Sequence, residues 1–399
     1  VNVCIVTAAS EWGGAEMHTV ALARTLAERH HRVSMVQIGP NVYEKSELAR
    51  DVRIRLIETK IARCPGSPRW LDCFTVLRAE RGDICIFAKG SPFLSGSRLD
   101  FLARALFARF LTIEHGECPP MPAKSVTRHF GGILPGTGLW WWRIFLKRSL
   151  RLATPHRMVC VSRAIREQLI RSYRFRNEKA IVVHDGVDTG RFRPSAEFRH
   201  EARALWRVPE SAFVFGMVGR LSWEKNHLLA VDLFGRLAAA MPERDLRLVI
   251  AGEGPECERI RDAAERSGLG DRITLAGFTD RPWEIYPAFD ALLLTSRNEG
   301  LSLVLLEAMS SGCCPIAIGV GGVPEIVRPG LGWLVSPGDE PGLVKAMRSA
   351  AESDATVLSG MGRRAREHVI TYFNKEVQLA KLVGLVESEC LKAKHHAYR

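Results

Sequence analysis

Two carboxylates bracket the most chemically suggestive stretch of this 399-residue chain. Glu299 and Glu307 flank Gly300, Leu301, Ser302, Leu303, Val304, Leu305 and Leu306, of which all but Gly300 and Ser302 are apolar. So continuous an apolar run belongs in a protein interior, and a carboxylate at each end costs free energy unless it finds a partner. The simplest partner is a polyhydroxylated ligand held by both, such as a molecule carrying a sugar and a ribose. Each residue also has a plain structural reading. Glu299 would neighbour a helix N-cap, and Glu307 would be half of a buried salt bridge. A helix beginning near Leu303 would turn the amides of residues 301–304 outward, a setting that suits phosphate or sugar hydroxyls.

Cations occur in a second segment, Gly219-Arg220-Leu221-Ser222-Trp223-Glu224-Lys225-Asn226. The planar fork of Arg220 and the compact charge of Lys225 both suit a diphosphate. The alternative is a solvated loop with an Arg220–Glu224 pair. Gly13-Gly14-Ala15-Glu16 opens a helix after the first strand, where amides carry partial positive charge and glycine lets a phosphate approach. Its alternative is a flexible helix entry with Glu16 facing the dipole. Gly252, in Ala251-Gly252-Glu253-Gly254-Pro255, looks similar, although Pro255 and Glu256 also read as a turn and helix start. Glu114-His115-Gly116 and Gly277-Phe278-Thr279 each close a strand. A lone histidine such as His115 is more often structural than functional.

The elements that must position these residues follow from hydrophobic periodicity. Strands are expected at 3–7, 33–38, 54–57, 84–88, 111–115 and 158–161, with helices between them, the clearest at 15–29. After a Pro- and Arg-containing passage at 186–209, strands are expected at 213–218, 246–251, 273–275, 291–294, 315–318 and 333–335. Helices are expected at 228–241 and 257–267, and the tail beyond residue 341 reads as helical and charged. Strand–helix alternation implies parallel sheets covered on both faces, and the length calls for two domains. The motifs then fall in loops just after strands, where such sheets bind ligands.

In this order the segments resemble the signature of the retaining GT-B glycosyltransferases, in particular family four, from Gly13-Gly14-Ala15-Glu16 to about Val327. Gly321-Gly322-Val323-Pro324-Glu325-Ile326 completes the likeness, and its Pro324 has an adequate structural reason at a helix start. The resemblance implies an α/β GT-B fold, two Rossmann-like domains facing each other across a cleft. It implies an acceptor-binding domain at 1–185, a donor-binding domain at 186–375 and a final helix at 376–399 returning to the first domain. The implied activity moves a sugar from a nucleotide-sugar donor, most commonly UDP-linked, to a glycan or lipid-linked acceptor with retained configuration, in surface polysaccharide or glycolipid synthesis. Glu299, Arg220, Lys225 and His115 would form the catalytic group, with His115 contacting a donor-sugar hydroxyl. Gly14, Gly219, Gly252, Phe278, Thr279, Gly300, Leu301, Ser302, Leu303 and Glu307 would bind the donor, and Glu16 the acceptor. The leaving phosphate would deprotonate the acceptor on the same face.

No Asp-x-Asp occurs in the chain, which fits a metal-independent site, and no cofactor beyond the nucleotide-sugar cosubstrate is expected. The ten cysteines show no metal spacing. Two rivals share these features: an epimerase or phosphorylase on the same architecture, and a non-catalytic nucleotide-sugar sensor. The net charge of +12 attracts anionic partners, yet no nucleic-acid motif is present. Basic residues spread through 143–207 follow Trp140, Trp141 and Trp142. With Arg143 and Lys147, these rings suit a lipid interface, and equally a helix that buries its aromatics in the first domain. Residues 1–6 read as a buried strand without the basic start of a secretory signal, so the expected location is cytoplasmic, with peripheral contact at the inner face of the membrane.

Overall fold

Runs of Val, Ile and Leu form two separate parallel sheets in the computed structural model, which describes residues 1–8, 13–38, 43, 51, 53–59, 70–89, 97–116, 155–173 and 175–397. The tryptophan-rich segment at 130–150, with Trp140, Trp141, Trp142, Arg143 and Lys147, lies outside the described residues. By contact density the chain divides into one unit of Val1–His184 with Leu379–Arg399 and a second of Asp185–Gln378.

The first unit contains β1 (Asn2–Thr7), α1 (Gly14–Glu28), β2 (Arg32–Ile38), β3 (Ile54–Thr59), α2 (Trp70–Ala79), β4 (Ile84–Lys89), α3 (Ser97–Leu106), β5 (Arg109–Glu114), β6 (Arg157–Cys160), α4 (Arg163–Tyr173) and β7 (Ala180–Val182). Its strands lie in the order β3-β2-β1-β4-β5-β6-β7. Val3, Ile5, Met35, Ile84, Ile86 and Leu111 are buried, as strands covered on both faces require.

The second unit contains α5 (Ala196–Leu205), β8 (Phe213–Val218), α6 (His227–Ala240), β9 (Leu246–Ala251), α7 (Cys257–Arg266), β10 (Ile273–Gly277), β11 (Ala291–Leu294), α8 (Leu303–Ser310), β12 (Cys314–Ile318), α9 (Val323–Ile326), β13 (Trp333–Val335), α10 (Glu340–Glu352) and α11 (Ala355–Tyr372). Its sheet order is β10-β9-β8-β11-β12-β13. Phe215, Phe234, Leu248, Ile250 and Leu293 anchor its core. Each half is Rossmann-like, an open parallel sheet whose strand order reverses beside its first strand.

The last helix, α12 (Lys375–Ala397), buries Leu379, Leu382, Val383, Val386 and Cys390. Within the first unit its Glu389 meets Arg157 Nε at 3.1 Å, and its Glu387 meets His31 Nε2 at 3.0 Å.

Residues 186–209 hold two features that hydrophobic periodicity does not announce. The passage at 186–209 is not a plain linker, because it contains α5, whose N-cap Ser195 accepts a bond from the Phe198 amide. Nor do all of its basic residues face outward. Arg203 is fully buried, and its guanidinium donates to the carbonyls of Pro209, Glu210, Ala212 and Ala288. Its remaining nitrogen reaches Asp290 Oδ2 at 2.8 Å, and Arg199 reaches Asp290 Oδ1 at 2.9 Å. Asp290 lies far along the sequence, so the pairing has no local signal. Arg203→Ala should lower stability by about 3–5 kcal/mol in urea unfolding, because it leaves four carbonyls without their donor and Asp290 with only Arg199 as counter-charge. Arg203→Lys should fall between, keeping the charge and losing the fork.

Candidate functional site

In the second sheet the chain passes outward from β8 through β9 to β10, then returns to lay β11 on the other side of β8. Such a reversal opens a crevice beyond the carboxyl ends of the two central strands, the usual ligand site of open α/β sheets. β8 leads into the loop at 219–226, and β11 into the loop at 295–302.

The two loops are bonded to each other. Thr295 Oγ1 donates to the carbonyls of Lys225 and Asn226 at 3.1 and 3.0 Å. The Arg297 amide donates to the Glu224 carbonyl at 2.8 Å, and its guanidinium to Asn226 Oδ1 at 2.8 Å. The same guanidinium lies over the Trp223 ring, 4.9 Å from its centre. Within this frame Lys225 Nζ stands 2.8 Å from Glu299 Oε1, and that oxygen also accepts the Ser296 hydroxyl at 2.7 Å. The Glu299 side chain is only 7% exposed, so these bonds act where water competes little. Arg220 stands exposed on the same loop. The Glu224 carboxyl is held below its usual range by its own backbone N–H and the Ser222 hydroxyl, then by Arg220 and Lys225, against an opposing effect of burial.

Ser302 caps α8 without a side-chain capping bond, and its buried hydroxyl finds no partner among the described residues. The first amides of α8 have no intrahelical acceptor, as at any helix start. A methyl placed on Gly219 would lie 4.0 Å from Val304, so the first turn of α8 sits beside Gly219. The structure therefore gathers Gly219, Lys225, Glu299, Ser302 and the start of α8 at one place.

Glu307 lies further along α8, and its Oε2 accepts the Tyr286 hydroxyl at 2.6 Å. Burial pushes the Glu307 carboxyl up to about 7, and the tyrosine bond opposes that shift. The salt-bridge reading of Glu307 is corrected, because among the described residues its partner is a phenol and not a cation. Glu299 departs likewise from the helix-cap reading, since its carboxylate goes to Lys225.

Gly252 has a packing reason. At φ 148° its Cβ position would fall 1.8 Å from the Gly219 carbonyl oxygen, so only glycine allows the two loops to touch. Its amide continues the ladder to Gly277, at 2.7 Å. Phe278, the next residue, is 67% exposed, and Thr279 Oγ1 accepts the Arg281 amide at 3.0 Å.

In the first unit Gly13 caps α1, Gly14 begins it, and Glu16 stands in its first turn. Burial pushes the Glu16 carboxyl up, while its own backbone N–H, His115 and the Gly13 backbone pull it down. His115 follows β5, and its ring meets His18 edge-on at 5.3 Å. Glu16, His18 and His115 thus share one corner of this unit.

Sequence reading passed over Thr295, Ser296, Tyr286 and His18. Ser296 had a signal, since Ser-x-x-Glu is a spacing at which hydroxyl and carboxylate can meet. Tyr286 had none, because its partner lies 21 residues away.

Two family models match the chain, "Glycosyltransferase Family 4" over residues 12–191 and "Glycosyl transferases group 1" over residues 198–368. N-acetyl-alpha-D-glucosaminyl L-malate synthase of Bacillus anthracis is 34% identical over 146 residues, covering 36% of this chain and 38% of that protein. D-inositol 3-phosphate glycosyltransferase of Streptomyces avermitilis is 30% identical over 231 residues, covering 54% of this chain and 48% of its own. The chain spans about half or less of the length of these curated relatives. Anabaena HepE in complex with UDP and glucose superposes with a TM-score of 0.77 at 19% identity, covering 97% of this chain and 99% of that one.

The raised Glu307 carboxyl makes a stability prediction. The folded chain holds this proton up to about pH 7, while the unfolded chain releases it near 4.5. Between those values the folded state binds more protons, so stability falls as pH rises through the window. Glu307→Gln should flatten that fall when urea midpoints are compared at about pH 5 and about pH 8. Identical slopes for variant and wild type would show that Glu307 titrates as an ordinary surface carboxylate.

Proposed function

This chain belongs to the group 1 glycosyltransferases of family 4, and from that membership we propose that it transfers a sugar from a nucleoside diphosphate donor, with uracil as the base, to a glycan or lipid-linked acceptor. We propose retention of anomeric configuration and no requirement for a metal ion.

The observation that carries this reading is the Lys225–Glu299 pair at the carboxyl ends of β8 and β11, beside the first turn of α8. Breaking a sugar–phosphate bond leaves negative charge on a diphosphate. Lys225, Arg220 and the amides of α8 supply positive potential where that charge grows, which is the usual means of lowering such a barrier. Glu299 orients Lys225 and accepts hydroxyls of the transferred sugar. Glu307, on the same helix, accepts the ribose diol, and Phe278 and Thr279 border the base. In the first unit we assign Glu16 to the acceptor and His115 to a sugar hydroxyl. The departing phosphate takes the acceptor proton on the face it leaves.

We place the activity in surface polysaccharide or glycolipid synthesis, with peripheral contact at the inner face of the membrane through Trp140, Trp141, Trp142, Arg143 and Lys147. Among the described residues no helix is long and apolar enough to cross a membrane. In sedimentation with anionic liposomes the chain should partition with the lipid, and triple replacement of Trp140, Trp141 and Trp142 by Ala should return it to solution. Wild-type protein left wholly in the supernatant would remove the membrane contact from the proposal.

The transferase reading is tested by product analysis across a panel of nucleotide sugars and acceptors. Lys225→Ala and Glu299→Ala should each lower kcat by about 10²–10³-fold. The double variant should cost little more than either single one, since the pair acts as a unit. Glu307→Ala should mainly raise the donor KM. Wild-type turnover in both single variants would remove the assignment.

A further inference from the structure

Tyr286 occupies a short turn, Tyr286–Ala288, between β10 and β11, and no motif announces it. Its side chain is fully buried. Phe192 and Phe289 hold its ring at centroid distances of 5.9 and 6.2 Å, both close to edge-on, and Trp283 backs Phe192 at 6.4 Å. A ring so enclosed has one accessible orientation, and in it the hydroxyl points at Glu307 Oε2, 2.6 Å away.

With the Glu307 carboxyl ionised, above about pH 7, the phenol donates in this bond. Burial and the neighbouring Glu307 carboxylate push its ionisation well above the ordinary range, so the proton stays on the tyrosine. Glu307 Oε1 takes no hydrogen bond among the described residues. Other polar groups nearby are directed elsewhere. The Cys313 thiol is buried beside Tyr286, and the Arg366 guanidinium of α11 goes to the carbonyls of Ser310, Phe192 and Thr189.

A helical glutamate normally rotates freely about its last torsion. Tying one oxygen to a fixed phenol sets the plane of the carboxylate, and so the direction of the other oxygen. The same site carries a cost, because burial disfavours the charged carboxylate. A glutamine or methionine would avoid that cost, so an aimed acceptor is the physical return for it.

We infer that Tyr286 is a positioning residue that orients Glu307 so that Oε1 accepts a ribose hydroxyl, making the Tyr286–Glu307 pair the element that selects ribose over deoxyribose in the nucleotide. This rests on the reading above that Glu307 holds the nucleotide. Tyr286 touches no ligand and acts through Glu307 alone.

The test measures dissociation constants by titration calorimetry for UDP, GDP and ADP, and for the 2′-deoxy counterpart of the tightest of them. Wild-type protein should prefer the ribonucleotide by about tenfold or more, the worth of a hydrogen bond to a charged acceptor. Tyr286→Phe removes one oxygen and keeps the ring packing. It should shrink the preference to within about twofold while leaving affinity for the deoxynucleotide nearly unchanged. A purely structural tyrosine would weaken both ligands equally and keep the ratio, which would overturn the inference and leave the Glu307 reading standing. No nucleotide binding by wild-type protein, or equal binding of ribo and deoxy forms, would bring down both. Should Tyr286→Phe fail to fold, Tyr286→Leu, which likewise lacks the hydroxyl, must collapse the same ratio. An unchanged ratio there would also overturn the inference.

Discussion

The second half of this protein is organised around a carboxylate almost withdrawn from water. Glu299 can sit at the head of an apolar run only because Lys225 and Ser296 meet it there. That meeting requires two loops 74 residues apart in sequence to touch, which requires β8 and β11 to be neighbours. A sheet whose order reverses between those strands is the simplest way to satisfy the requirement. The other end of the run is solved differently. Glu307 meets a phenol, a dipole and not a full charge, and its carboxyl stays easy to protonate near neutrality. One segment thus presents two acids with contrasting electrostatic surroundings, an arrangement by which one site separates two roles.

The two halves share a strand order in which the chain works outward and then returns, yet their loops carry different chemistry. The second has a cation–carboxylate pair; the first has Glu16, His18 and His115 close together beside α1 and β5. At 19% identity to Anabaena HepE over nearly the full length, the common element is the fold.

Much of this was legible in the residues. Strands such as Phe213–Val218 and Ala291–Leu294 are continuous apolar runs that read directly as buried strands. Residues tied to local spacing were also visible, including the glycines at strand ends and the carboxylates at 299 and 307. Partners distant in sequence were not visible. Glu307 finds Tyr286, Arg203 finds Asp290 and Arg157 finds Glu389, and in each case neither residue marks the other. The helix Ala196–Leu205 was hidden for a related reason. Its passage read only as Pro- and Arg-containing, and the carbonyls gathered from residues 209–212 and 288 show that one of its arginines is interior. Gly252 was read as bordering the donor, and its contact with Gly219 adds a packing reason for glycine that no local spacing shows.

The interior guanidinium bears on how this molecule can be dissected. The group 1 model begins at residue 198, inside a helix whose cap is Ser195. A fragment started there would lose the hydroxyl that closes the helix, and the turn bearing Arg199 and Arg203 would fray. Asp290, which also receives the Val214 amide, would then face the interior with its counter-charge loosened. A fragment meant to keep this helix closed must therefore start upstream of Ser195.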